Sequence, residues 1–190
     1  MAFSLVHVLV FLIAIINSQL ADAGGRAEIV HQCSYPVWCA VVKGFKPDDP
    51  TPQDQRPPVQ WIPQPAGQVI IDYFTAHPID TGMALMCTRD PAATKPAVTQ
   101  LEYTWRPDLD MTFFDASNVE GTPFLNEGFR MDVHEPLQPQ GPACYPAHCA
   151  PGDKICGEIY NKWNDDFQGM RSCSPEMVMR MNLCSAKSSD

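Results

Sequence analysis

The sequence predicts an all-β chain: a sandwich of short strands with disulfide-stapled loops and at most one short helix. Strand-like runs recur along it, clearest in Leu101-Glu102-Tyr103-Thr104-Trp105 and in the alternating stretch Met177–Leu183. Turn-forming Gly, Pro, Asp and Asn interrupt these runs at short intervals. Eight cysteines, an even number, all follow an apolar leader, which fits a cross-linked extracellular domain.

The leader is Phe3–Ile16, followed by the small-residue pattern Ala21-Asp22-Ala23, so residues 1–23 read as a secretory signal peptide cleaved before Gly24. It is shorter than the ~20 apolar residues a bilayer span needs. Residues 24–190 are expected to form one soluble, secreted domain with a core of its own. Within it, Ala27–Gln32 and Val37–Lys43 read as strands about a turn at Cys33-Ser34-Tyr35-Pro36. From Pro47 to Pro65, seven of nineteen residues are proline, with Asp48, Asp49 and Asp54 between them. That stretch is expected to be an extended surface loop outside any ladder. Its Trp61 reads as an anchor folded back on the core, with a recognition aromatic as the alternative.

Gln68–Phe74 and Met83–Thr88 are the next strands, then a hairpin of Leu101–Trp105 and Met111–Asp115 about an Arg-Pro-Asp turn. This places Glu102 and Asp115 near opposite ends of adjacent strands, where they can share a face. Gly128–Val133 is a further strand, and Gln138–Cys149 reads as loop. Ile155, Ile159, Tyr160 and Trp163 fall at helical spacing, so 154–163 is the one candidate helix. Glu176–Cys184 alternates with Met177, Met179, Met181 and Leu183 on one face. A soft-metal site is conceivable for such a row, but packed core methionine is the commoner use.

The formal charge is −9, and loss of Asp22 with the leader leaves 21 acidic against 13 basic residues, −8. An acidic surface repels phosphate backbones and anionic lipid, which excludes nucleic acid and membrane as expected partners. Neutral glycans and basic proteins remain. Eight cysteines allow 105 pairings, and spacing alone selects none. Zinc binding is not expected, because there is no Cys-x-x-Cys and His148-Cys149 lacks a partner pair. No Asn-x-Ser/Thr sequon, Gly-x-Ser-x-Gly elbow, phosphate loop or dinucleotide fingerprint occurs, and nothing calls for a cofactor.

The opening Glu28-Ile29-Val30-His31-Gln32-Cys33-Ser34-Tyr35-Pro36-Val37-Trp38 is similar to the first strand pair of thaumatin-like proteins. Leu101-Glu102-Tyr103 and Phe114-Asp115-x-Ser117-Asn118-Val119-x-Gly121 resemble that family's acidic segment. The phrasing of 112–124, with Cys156-x-x-x-Tyr160, Asp165-Asp166, Cys173 and the closing strand to Cys184, resembles the small secreted "antigenic" (yeast-phase-specific) fungal branch. The resemblance spans most of Glu28–Cys184, with gaps at the Pro-rich loop. It implies a thaumatin-like β-sandwich and a Cys33–Cys184 bridge. It also suggests a Cys156–Cys173 bridge, with Cys39–Cys87 and Cys144–Cys149 as the remaining pairs. Plant-type members carry an acidic cleft tied to β-glucan binding and, in some, hydrolysis. Here Glu102 and Asp115 match its Glu and one Asp, Arg89 is the candidate Arg, and Tyr103 adjoins them. Thr112 stands where a partner Asp is expected, and the cysteine count is half the usual plant number.

A glycosidase needs a carboxylic acid and a second carboxylate on either side of the scissile bond. Glu102 and Asp115 are the best such pair, with Asp72 or Asp110 as substitutes. Glycan binding asks only for an aromatic platform and a few polar acceptors. The expected function is therefore that of a secreted, monomeric protein at the fungal cell wall or extracellular surface. It would bind β-glucan without catalysis through Arg89, Glu102, Tyr103 and Asp115. The alternatives are an effector or antigen contacting a host or wall protein, and a weak endo-β-1,3-glucanase using Glu102 and Asp115.

Overall fold

The computed structural model describes residues 22–45, 49–52, 55–75, 81–134, 143–165 and 169–185. Eleven strands form two facing sheets: β1 (Asp22–His31), β2 (Val37–Lys43), β3 (Ile62–Gln64), β4 (Val69–Thr75), β5 (Met83–Thr88), β6 (Thr99–Arg106), β7 (Met111–Ser117), β8 (Phe129–His134), β9 (Ala147–Cys149), β10 (Arg171–Cys173) and β11 (Val178–Leu183). One sheet has the order β4-β1-β11-β8-β9, the other β10-β7-β6-β5-β2-β3. Every pairing is antiparallel except that of β1 with β11, which joins the two ends of the domain. The leader predicted over 1–23 lies, but for its last two residues, outside the described residues, as do Asp48, Asp54 and Asp166.

Alternation decides which side chains enter the core. Ile29, Met131, Met179, Met181 and Leu183 from the first sheet face Leu85, Leu101, Tyr103, Phe114 and Ala116 from the second, all buried. The methionine row is thus core packing. Phe74 meets Tyr103 with ring centroids 4.6 Å apart. The Tyr103 hydroxyl donates to Asp72 Oδ2 at 2.6 Å, a polar tie between sheets. On the outer face of the first sheet, buried Glu28 accepts from Arg26 Nε and Arg180 Nε, each at 2.6 Å.

Several expectations need correction. The Pro-rich stretch does enter a ladder: Ile62–Gln64 pairs with Cys39–Val37. Pro63 is tolerated because β3 is an edge strand, where a missing N–H faces no partner. Residues 154–163 form turns and a single bridge from Tyr160 to Ser117. The helical spacing there is accidental, since Ile159 is buried while Ile155 and Trp163 are 76% and 85% exposed. No α-helix occurs among the described residues. Two short strands, β9 and β10, were not anticipated at all.

The four disulfides are Cys33–Cys184, Cys39–Cys87, Cys144–Cys173 and Cys149–Cys156. Cys33–Cys184 matches the pair the resemblance implied and Cys39–Cys87 one of the two remaining pairs, whereas Cys156–Cys173 and Cys144–Cys149 are replaced. The cause is the placement of β9 and β10 in different sheets. The Ser172 N–H donates to Ala143 O at 3.4 Å, which brings Cys144 to Cys173. Cys149 then closes a short loop on Cys156, seven residues on.

Candidate functional site

The outer face of the six-stranded sheet carries the acids. Glu102 and Asp115 are not at opposite ends of the hairpin but directly opposite each other in the β6–β7 register. A facing antiparallel pair holds its Cβ atoms about 5 Å apart. The register row continues through Ala84 on β5 to Val42 on β2. Both carboxyls line one cavity of about 260 Å³, with Gly44, Gly82, Phe113 and Met170 around it. Gly82 lies too close to β6 for a side chain: a Cβ there would meet Thr104 Oγ1 at 2.8 Å and Tyr103 O at 2.9 Å.

Burial raises the Glu102 carboxyl above its ordinary value; a hydrogen bond with Ser117 opposes this and the Glu120 charge adds to it. Asp115 is pushed well above its ordinary value by burial and by the adjoining Glu102 charge, against a smaller pull from Arg171. Two like charges this close in a partly dry site cannot both ionise at little cost, so the pair retains a proton to higher pH than free carboxyls do. Asp115 Oδ1 is buried without a hydrogen-bond partner. Such an orphaned acceptor is costly unless a donor reaches it.

A second cavity, of about 720 Å³, lies on the same sheet face between the Pro-rich segment and the 91–100 stretch. Trp61, half-buried, lines it with Met86, Gln100 and Glu120. Gln100 is two residues from Glu102, and Met86 two from Ala84, so the two cavities are neighbours along one face. Trp61 is therefore a wall of an open depression.

The other predicted site residues do not join the acids. Arg89 stacks over the Tyr35 ring, 4.0 Å from its centroid, and its Nη1 lies 3.9 Å from Glu127 Oε1. It lines neither cavity. The reason is position: Arg89 follows β5, while Glu102 pairs with Ala84 near that strand's start. Tyr103 borders the first cavity, but its ring points into the core and its hydroxyl is spent on Asp72. Asp72, in turn, lies on the inner face of β4, and Asp110 is exposed in the hairpin turn with φ 51°. Neither can substitute for the pair.

Sequence reasoning missed Arg171, which is 1% exposed. Its guanidinium donates to the carbonyls of Tyr145, Pro146, Glu158 and Gly169, binding the disulfide loops to the rim of the sheet. No local pattern distinguishes it from a surface arginine. Ser117 and Phe113, by contrast, could have been found from period-two alternation with Asp115.

Comparison with known proteins completes the picture. The chain is 30% identical over 127 residues to "Secreted thaumatin-like protein calA" of Emericella nidulans, an alignment covering 64% of this chain and 66% of that one. It is 27% identical over 118 residues to "Antigenic thaumatin-like protein" of Arthroderma benhamiae, covering 62% of this chain and 55% of the relative. The alignments thus span just under two thirds of the first relative and little more than half of the second. The fold is also that of the protein elicitor MoHrip2 from Magnaporthe oryzae, with TM-score 0.57 and 18% identity, covering 85% of this chain and 99% of that one. The profile of Bys1, the Blastomyces yeast-phase-specific protein, matches residues 14–185, and the chain belongs to that family, a secreted thaumatin-like branch of fungal proteins.

Proposed function

We propose that the acidic groove binds β-1,3-glucan outside the fungal cell, at the wall, without cleaving it. The observation that carries this reading is the facing Glu102–Asp115 pair in one small cavity, with a buried acceptor, Asp115 Oδ1, that no group among the described residues satisfies. A sugar is a dense source of hydroxyl donors, and a partly protonated carboxyl pair can both accept from and donate to it. The open Trp61 cavity beside the acids supplies an apolar surface for ring faces. The protein's negative charge suits a neutral polymer better than an anionic one.

The test is depletion of the folded protein by insoluble β-1,3-glucan. Glu102→Ala is expected to weaken binding about tenfold, equivalent to ~1.4 kcal/mol. Absence of wild-type binding would discard the glucan reading and turn the search to protein partners. A second reading, a weak endo-glucanase, is favoured by one feature: Asp115 holds its proton unusually tightly, as a general acid must. Cβ atoms about 5 Å apart are compatible with the ~5–5.5 Å carboxyl separation of retaining enzymes. Reducing-sugar release in the same tubes, abolished by Asp115→Asn, would establish that reading instead.

A further inference from the structure

We propose that Trp163 is a ligand platform at one end of this groove, stacking on the ring faces of a β-1,3-glucan chain laid across the strands; the inference rests on the glucan reading above. Trp163 is 85% exposed, the most exposed of the large apolar side chains among the described residues. It stands in a tight turn rather than a loose loop. The Asp165 N–H donates to Lys162 O at 3.2 Å, and the N–H groups of Asn161 and Lys162 both donate to Asp165 Oδ2 at 3.0 Å. That closure leaves Trp163 at the tip, where no described residue covers it.

The base of the turn is fixed beside the acids. Tyr160 N–H donates to Ala116 O at 3.0 Å, and Asn118 N–H donates to Tyr160 O at 2.8 Å. Ala116 is the residue between Asp115 and Ser117. Ile159 is fully buried below, and Asn161 Nδ2 donates to Cys156 O and Ile159 O, so the pedestal is held from both sides. Packing gives no reason for a tryptophan at the tip, because removing an exposed ring loses no core contact. Recognition gives one: a rigid, pre-ordered aromatic contributes contact area at small entropic cost.

Geometry also sets the kind of ligand. The row Met86–Gln100–Ser117 runs across β5, β6 and β7 to Tyr160. With strands about 4.8 Å apart, Met86 on the far side of the Trp61 cavity and Tyr160 at the base of the pedestal are separated by roughly 14 Å, with the acids two residues to one side of that line. A chain of several sugar units can lie over the Trp61 cavity, the acids and the pedestal together, whereas a disaccharide covers only part of that length.

The experiment measures binding of a β-1,3-linked hexasaccharide and disaccharide to wild type, Trp163→Ala and Trp163→Phe, with melting curves for each. The expected result is about tenfold weaker hexasaccharide binding by Trp163→Ala, substantial recovery by Trp163→Phe, a smaller loss for the disaccharide, and an unchanged Tm. Equal hexasaccharide affinity in wild type and Trp163→Ala would overturn this inference and leave the groove reading intact. Loss of Tm together with affinity would assign Trp163 to packing and overturn it too. No wild-type binding to the hexasaccharide or to insoluble glucan would overturn both.

Discussion

Glu102 and Asp115 press two carboxyls into one half-dry cavity, and both bind their protons more tightly than exposed groups do. In the unfolded chain they would ionise near 4.5 and 3.8. Between those values and the raised folded ones, the native state holds more protons than the unfolded state. Stability from this pair therefore falls as pH rises through that window. Asp115→Asn removes the repulsion, and it is expected to stabilise the protein at pH 7 by about 1 kcal/mol, a Tm rise of roughly 2–4 °C. The gain should shrink toward pH 4, where the native pair is already protonated. A Tm series from pH 4 to 8 checks this, and a uniform loss would mean that the pair is held by an unseen favourable contact. Glu28 behaves oppositely. Burial pushes it up, but hydrogen bonds from Arg180 and Arg26 and their charges outweigh that and leave it below its ordinary 4.5. Its contribution is present above that value and fades as pH falls through the lowered one. The same acid chemistry thus opposes folding on one sheet face and supports it on the other.

Among the elements, β6 does two jobs with one alternation. Its even residues, Gln100 and Glu102, line the outer cavities, while Leu101, Tyr103 and Trp105 enter the core. Tyr103 couples the two faces because its hydroxyl, donating to Asp72 at 2.6 Å, holds β4 of the opposite sheet. Tyr103→Phe removes a charge-assisted bond and is expected to cost about 2 kcal/mol in denaturant titration. Glucan binding should be unaffected, since the ring does not reach the groove. This division was legible in the sequence, because LEYTW alternates without interruption and its aromatic residues could only point one way. The hairpin, the methionine strand and the choice of Glu102 and Asp115 followed from the same period-two signal. What was not legible depends on long-range pairing. Pro63 reads as a strand breaker unless β3 is known to be an edge. The spacing of Ile155, Ile159 and Trp163 imitates a helix, because only tertiary contacts show that one of them is buried and two are not. Arg89 fits a motif, yet the register of β5 carries it to Tyr35. Tyr103 was placed in the binding set by its neighbours in sequence, although alternation alone turns its ring inward.

For the molecule as a whole, closure matters more than any single contact. β1 and β11 are the first and last strands and lie side by side, so the domain is complete only when its ends meet. Cys33–Cys184 locks that meeting across a separation of 151 residues, whereas Cys149–Cys156 spans seven. If a bridge stabilises chiefly by limiting the unfolded chain, loop length ranks the bridges. The chain-entropy relation assigns about 5 kcal/mol to Cys33–Cys184, about 4 to Cys39–Cys87 and about 2.5 to Cys149–Cys156. Paired serine replacements, unfolded in urea, should reproduce that order, with Cys33→Ser/Cys184→Ser the least stable. A different physical picture makes a different prediction. The core around Cys39 and Cys87 is packed by Val37, Leu85 and Leu101, all fully buried, while Cys149–Cys156 fixes Cys156, whose carbonyl accepts from Asn161 in the pedestal of Trp163. If native contacts dominate, removal of Cys39–Cys87 would cost most. The short bridge would then affect glucan affinity more than stability. Measuring unfolding free energy and hexasaccharide binding on the same three variants separates the two pictures. A ranking by loop length with unchanged affinity supports the entropic one, and affinity lost only with Cys149–Cys156 assigns that bridge to the binding edge of the groove.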